Sequence, residues 1–211
     1  MTQLVLASTS PARLALLRSA GIEPVIISPG VDEDAVAQRA EAMGLITSVR
    51  DLVHVLAKAK AEAVAEHPDA RGRLIIACDS SLELDGVSLG KPHEPQVAID
   101  RWKSMRGRSG VLHTGHWIID NRQPELGQLP PATGQVCSTV VHFADMTDAE
   151  IEAYVATGEP LKVAGAFTID GKGGAFIRAI EGDTHTVIGL SLAALRASCQ
   201  QLGVEYTSLW A

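Results

Sequence analysis

Two kinds of apolar spacing alternate along the chain, and they predict most of its elements. Leu4-Val5-Leu6 is a short continuous apolar run, the pattern of a strand buried on both faces. It gives way to Ser8-Thr9-Ser10, then to Pro11 and a segment that ends at Gly21. Ser10 suits an N-cap, Pro11 a first helical position and Gly21 a left-handed stop, so the stretch predicts strand, turn and helix. Residues 22–28 are β-branched and predict a second strand, turned by Pro29-Gly30. From Ser48 to about Glu66 the spacing turns helical, with Val49, Leu52, Val53, Leu56, Ala59 or Lys60, Ala63 and Val64 on one stripe. Ser48 and Asp51 resemble a capping pair, and Pro68 marks the end.

Residues 74–78 are another continuous apolar run, predicting a central strand that ends in Asp79-Ser80-Ser81. A hairpin about Asp85-Gly86 follows over 82–89. Next come a helix over 95–105 stopped by Gly107, a strand through 113–117, a long polar loop over 120–135 and a strand over 136–143. Thr147 and Glu150 form a capping box for a helix reaching Thr157, and a last helix runs from about Ser191 to Leu202, stopped by Gly203. Residues 164–177 are glycine-dense but fit neither a dinucleotide fingerprint nor a Walker loop; glycine there lets the backbone approach a ligand or another strand closely.

Composition narrows the class. The 211 residues suffice for one large domain or two lobes around a cleft, and 46% apolar with 20% charged residues is ordinary for a soluble protein. A net charge of −7 offers no general basic field, so no nucleic-acid partner is expected. Cys78, Cys137 and Cys199 are distant and odd in number, which argues against a disulfide framework or a zinc site and for a reducing cytoplasm. No segment resembles a leader or approaches the ~20 apolar residues of a membrane span.

Candidate chemistry lies at the turns. The 8–13 turn aims hydroxyls, free amides and a helix N-terminus at one point beside Arg13, a place for phosphate, although such a turn also serves as a plain cap. Asp32-Glu33-Asp34 suits the first turn of a helix, which spacing favours, or a hard cation. Lys60 either snorkels from the edge of its stripe or reaches into a cleft. Asp79 is an acid at a strand end or the cap of a turn. Lys91, between Gly90 and Pro92, is a fixed exposed lysine, and Arg108 sits in a basic turn that is either solvated or a further phosphate contact. His113 and His116, three apart on a strand, face opposite ways and make a poor metal pair. Together these residue types suit a metal-dependent enzyme acting on a phosphorylated small molecule.

The ordered set Leu6-Ala7-Ser8-Thr9-Ser10-Pro11-Ala12-Arg13, Val31-Asp32-Glu33, Leu56-Ala57-Lys58-Ala59-Lys60-Ala61, Ile76-Ala77-Cys78-Asp79-Ser80, Leu89-Gly90-Lys91-Pro92, Gly158-Glu159-Pro160, Ala164-Gly165-Ala166-Phe167 and Val187-Ile188-Gly189-Leu190 resembles the Maf family of nucleoside triphosphate pyrophosphatases nearly end to end. The resemblance implies an α/β fold with a mixed, strongly twisted sheet, flanking helices and two lobes around a central cleft in a single domain over 1–211. It implies hydrolysis of a triphosphate to a monophosphate and pyrophosphate with Mg²⁺ or Mn²⁺, and leaves a homodimer open. By analogy Asp79 is the catalytic proton acceptor or a metal-holding carboxylate, Glu33 helps hold the metal, and Ser8, Ser10, Arg13, Lys60 and Lys91 contact phosphates. The three positions that read the base hold Arg, Thr and Gln in the family branch acting on dTTP and UTP, and Trp, Gln and Glu in that acting on 7-methyl-GTP. Here they are Ala12, Ser80 and Asp170, which is neither set. A carboxylate only accepts, so Asp170 leans towards the N–H donors of a purine edge. The alternative is a nucleotide-binding regulator of cell division that needs no turnover. A serine hydrolase is poorer, because Ser8 and Ser10 lie in no nucleophile elbow.

Overall fold

A computed structural model describes residues 2–123 and 129–211. Its strands are β1 (Leu4–Leu6), β2 (Val25–Ile26), β3 (Arg73–Leu84), β4 (Val87–Leu89), β5 (Ser109–Asn121), β6 (Ala132–Phe143) and β7 (Ile177–Glu181). They form one mixed sheet in the order β2-β1-β3-β5-β6-β7, with β4 paired to β3. The α/β class expected from the sequence therefore holds. β1 runs parallel to β2 and β3, and the remaining pairs are antiparallel. The helices are α1 (Pro11–Ser19), α2 (Glu33–Ala42), α3 (Val49–Ala65), α4 (Pro95–Met105), α5 (Asp148–Ala156), α6 (Thr184–Ile188) and α7 (Leu192–Gln201).

Three apolar clusters hold these layers. Leu4, Leu6, Ile76 and Cys78 pack with Leu17 of α1 and Leu195 of α7. On the other face Val5, Ala7, Ile75 and Ala77 meet Ala61 and Val64 of α3. Further along β3, Leu82 joins Leu112, Val141 and Phe143 around Trp102 of α4 and Tyr154 of α5. The first two clusters build one lobe and the third another, with β3 and β5 running through both. α3 buries Val49, Val53, Leu56, Ala57, Lys60, Ala61 and Val64, so the stripe takes Lys60 rather than Ala59, and Ala57 and Ala61 join it in place of the expected Leu52 and Ala63. The contact is close because β5 has glycine there: a Cβ on Gly115 would lie 2.2 Å from the Val53 carbonyl oxygen.

Three expectations need correction. The strand expected to stop at Asp79 continues to Leu84. β1 pairs with β3 only as far as Ile76, whereas β5 pairs with it out to Glu83, so the ladder on one side carries the polar residues as strand. The strand expected over 22–28 pairs only through Val25 and Ile26 at the sheet edge. The loop expected over 120–135 shrinks from both ends, since β5 runs to Asn121 and β6 starts at Ala132; residues 124–128 of that loop lie outside the described residues. β7 and α6 were not anticipated, because the glycine-dense sequence before them carries no period.

Candidate active site

Ser10 caps α1 as expected, its hydroxyl accepting from the Arg13 amide at 3.4 Å, and Gly21 takes the left-handed stop at φ +76°. The Ser8 hydroxyl is buried and accepts from the Ser10 amide at 3.1 Å. Arg13 ties this turn to two remote segments. Its Nε donates to the Gly189 carbonyl at 2.7 Å, Nη1 to the Ser8 hydroxyl at 3.2 Å and the Cys78 carbonyl at 2.9 Å, and Nη2 to the Ser80 hydroxyl at 3.1 Å. Four of the five guanidinium N–H groups are thus committed to the chain itself, which leaves one for a phosphate. Ser80 also contacts the Thr114 hydroxyl at 2.9 Å, which in turn donates to the Thr186 carbonyl at 2.8 Å.

Asp79 lies on the opposite face of β3, beneath α3. The Lys60 ammonium donates to Asp79 Oδ1 at 2.6 Å and pairs with Glu33 Oε1 at 2.9 Å. Lys60 is 7% and Asp79 8% exposed, so the lysine neither snorkels nor faces bulk water. Asp32 resolves the acidic knot, capping α2 by accepting from the Ala35 amide at 3.0 Å. The cap turns Glu33, the next residue, to Lys60. The helix-start use of the acidic run thus falls to Asp32, while Glu33 pairs with Lys60.

The electrostatics follow from burial and pairing. Burial pushes the Asp79 carboxyl above the ordinary aspartate range, and Lys60, Glu33 and Arg13 act on it without reversing that direction. Burial also pushes Glu33 up, but the hydrogen bond and charge of Lys60, with the charges of Lys91 and Arg13, hold it below its usual range. Lys91 therefore acts on the same point in space. Its side chain is exposed on a fixed backbone, since the Gly90 carbonyl accepts from the Gly165 amide at 3.2 Å and from Arg101.

Glu33 Oε1 and Asp79 Oδ1 both converge on the Lys60 ammonium, and among the described residues no group of three or more His, Cys, Asp or Glu forms a metal cage. Two carboxylates that leave most positions to water and phosphate oxygens fit a hard ion such as Mg²⁺ or Mn²⁺ better than Zn²⁺ or Cu²⁺.

The remaining candidates separate. Arg108 pairs with Asp85 through two 2.7 Å contacts and Arg106 with Asp148, so the basic turn braces the hairpin and α5. His113 and His116 do face opposite ways. His113 lies between Glu83 and Ser138, while His116 accepts from the Ser191 amide at 2.8 Å and burial drives its pKa down to about 4. Ala12 is half-buried beside the Ser10 cap, and Asp170 is exposed on the loop before residues 172–176.

Sequence reasoning missed what holds that loop. The Glu159 carboxylate accepts from Tyr154 Oη at 3.0 Å, Thr168 Oγ1 at 2.6 Å, the Lys172 amide at 3.0 Å and the Gly173 amide at 2.9 Å. Burial pushes its pKa up, but these donors win and bring it down to about 2. A Cβ on Gly171 would lie 2.8 Å from Glu159 Oε2, and one on Gly173 would lie 2.4 Å from Tyr154 Oη. The close approach predicted for the glycine-dense stretch is thus to a carboxylate of the same chain, signalled only by Gly158-Glu159-Pro160.

Known proteins resemble this chain along nearly its whole length. The family model described as "Maf-like protein" matches residues 3–202. The chain is 53% identical to a nucleoside triphosphate pyrophosphatase of Leifsonia xyli over 99% of its own length and 96% of that protein. It is 51% identical to one of Streptomyces coelicolor, over 99% and 95%, and 50% identical to one of Cutibacterium acnes, again over 99% and 95%. Among solved structures, the Ham1 protein of Staphylococcus aureus is similar at 13% identity and a TM-score of 0.43, covering 99% of this chain and 94% of that one.

Proposed function

We propose that this chain, which belongs to the Maf family, is a nucleoside triphosphate pyrophosphatase. Relatives of about half identity over their full length carry that name. The observation that carries the reading within this chain is the buried Lys60–Asp79 pair with Glu33 beside it.

Asp79 accepts the proton of the attacking water. Lys60 holds Oδ1 and leaves Oδ2, which takes no hydrogen bond among the described residues, for that proton. The new bond joins the water oxygen to the α-phosphorus, and the bond to the bridging oxygen breaks, releasing pyrophosphate. Lys91 and Lys60, with the free donors of the Ser8–Ser10 turn, meet the negative charge that develops on the phosphates. Arg13 sets the position of that turn. Glu33 and Asp79 would hold a divalent cation, which supplies charge neutralisation at the phosphate oxygens when bound. Among the described residues no helix is long and apolar enough to cross a membrane. The cytoplasm remains the compartment that fits the spaced cysteines, and a homodimer remains part of the proposal.

The test is pyrophosphate release by the purified protein with Mg²⁺ or Mn²⁺ from a panel of ordinary and modified triphosphates. Release is expected, with a loss of at least about a hundredfold in Asp79→Asn and in Lys91→Ala. Full activity in both variants overturns the site assignment. Tight binding with no release from any triphosphate identifies a nucleotide-binding regulator instead.

A further inference from the structure

Two fully buried polar side chains of β5 have no part in the reaction described above. Along the face of β5 that turns towards Ser80 and Arg13, Leu112 and Ile118 belong to two of the apolar clusters. Thr114 and His116 stand between them, both 0% exposed. An apolar side chain would fill either position without the cost of burying a polar group, so what each one holds is informative. The Thr114 hydroxyl donates to the Thr186 carbonyl of α6 at 2.8 Å. His116 Nε2 accepts at 2.8 Å from the amide of Ser191, the N-cap of α7. Burial keeps this ring neutral, as an accepting nitrogen requires. Thr186 and Ser191 bracket the turn that joins α6 to α7, and Gly189 in that turn offers its carbonyl to Arg13 Nε.

We propose that Thr114 and His116 are positioning residues for the phosphate end of the site: they clamp the α6–α7 turn to β5, and that turn fixes Arg13. The proposal rests on the pyrophosphatase reading. The hydrogen bonds run one way around a closed ring. Thr114 gives its proton to Thr186, so its oxygen accepts the Ser80 proton, and the Ser80 oxygen accepts from Arg13 Nη2. Through α6 the ring returns to its cap Gly189 and so to Arg13 Nε. Nε and Nη1 are committed to Gly189, Ser8 and Cys78. One Nη2 proton remains for a phosphate, and the ring sets its direction. A guanidinium is planar and rigid, so a shift of either anchor swings that proton away from its target. Loss of the clamp therefore weakens the hold on the triphosphate, while Lys60 and Asp79, on the opposite face of β3, keep their pairing. An interaction made equally in the ground state and the transition state acts on KM and leaves kcat unchanged.

The experiment measures kcat and KM for pyrophosphate release from the best-cleaved of UTP, GTP, ATP and CTP, and the calorimetric Kd of the four α,β-methylene analogues. The proteins are the full-length chain, Thr114→Val, Thr114→Ser, His116→Leu and His116→Gln, each also combined with Arg13→Lys. Thr114→Val and His116→Leu should raise KM and Kd about tenfold, the worth of a charge-assisted hydrogen bond, with kcat within about twofold. Thr114→Ser keeps the hydroxyl and His116→Gln keeps an acceptor, so both should stay within about threefold of the unchanged protein. A lysine cannot serve the partners of Arg13 together, so in the Arg13→Lys background the same substitutions should shift KM and Kd less than about twofold. The two positions are independent tests, and either decides if a variant at the other fails to fold. Unaltered KM and Kd in Thr114→Val and His116→Leu overturn the proposal. So does a loss equally large in the Arg13→Lys background, which would mark both residues as packing alone. No release from any triphosphate by the unchanged protein overturns the pyrophosphatase reading, and the clamp is then judged by the Kd values.

Discussion

At Asp79 burial and pairing pull in opposite directions, and burial wins. An aspartate held above its ordinary range stays protonated to a higher pH and cannot accept a proton there. The acid limb of the kcat/KM profile should therefore lie above the ordinary aspartate value of about 3.9, with activity rising as pH climbs through it. Lys60→Met removes the pull towards the ionised form, so the limb should move further up. The same change leaves a buried carboxylate unpaired and should cost about 3–5 kcal/mol in denaturant unfolding while Asp79 is ionised. A limb that stays in place would dissociate Lys60 from Asp79. Arg13 has a different character. Its partners Cys78, Ser80 and Gly189 come from distant segments that no local pattern links to it, so its place after a capped turn does not reveal the ties that fix it.

The longest helices and the hairpin were legible because their signals are local. Capping at Ser48 and Thr147 and the left-handed pair Asp85-Gly86 stand where the pattern put them. The length of β3 was not legible, since Asp79-Ser80-Ser81 interrupts the apolar run without interrupting the ladder to β5. The same misreading hid the fact that Asp79 faces α3 and Ser80 faces Arg13. Two element-level predictions follow from glycine and carboxylate contacts. Gly115→Ala sets a methyl group 2.2 Å from the Val53 carbonyl oxygen, so it should lift α3, cost about 1–3 kcal/mol and lower activity by separating Lys60 from Asp79. Activity retained at full level would show that α3 yields without disturbing the pair. Glu159→Gln should cost about 2 kcal/mol at neutral pH. Because folding lowers the Glu159 pKa to about 2, its contribution is complete above the unfolded value and fades as pH falls through the folded one. The stability gap between the two proteins should thus close between about pH 5 and 2.

Across the whole molecule, the amino-terminal turn is completed by the carboxyl-terminal part of the chain. Gly189 holds φ +109°, and a Cβ there would lie 3.0 Å from Arg13 Nε. Gly189→Ala should weaken triphosphate binding while far-ultraviolet circular dichroism stays unchanged, and loss of helical signal would instead assign Gly189 to the fold. The Arg13–Gly189 hydrogen bond spans 176 positions of sequence. During synthesis, the first residues of the site leave the ribosome long before their partner is made. A contact of such long range waits for nearly the entire chain. A nascent or prematurely terminated chain accordingly carries the signature residues without the tie that fixes Arg13, which forms only once Gly189 has been made.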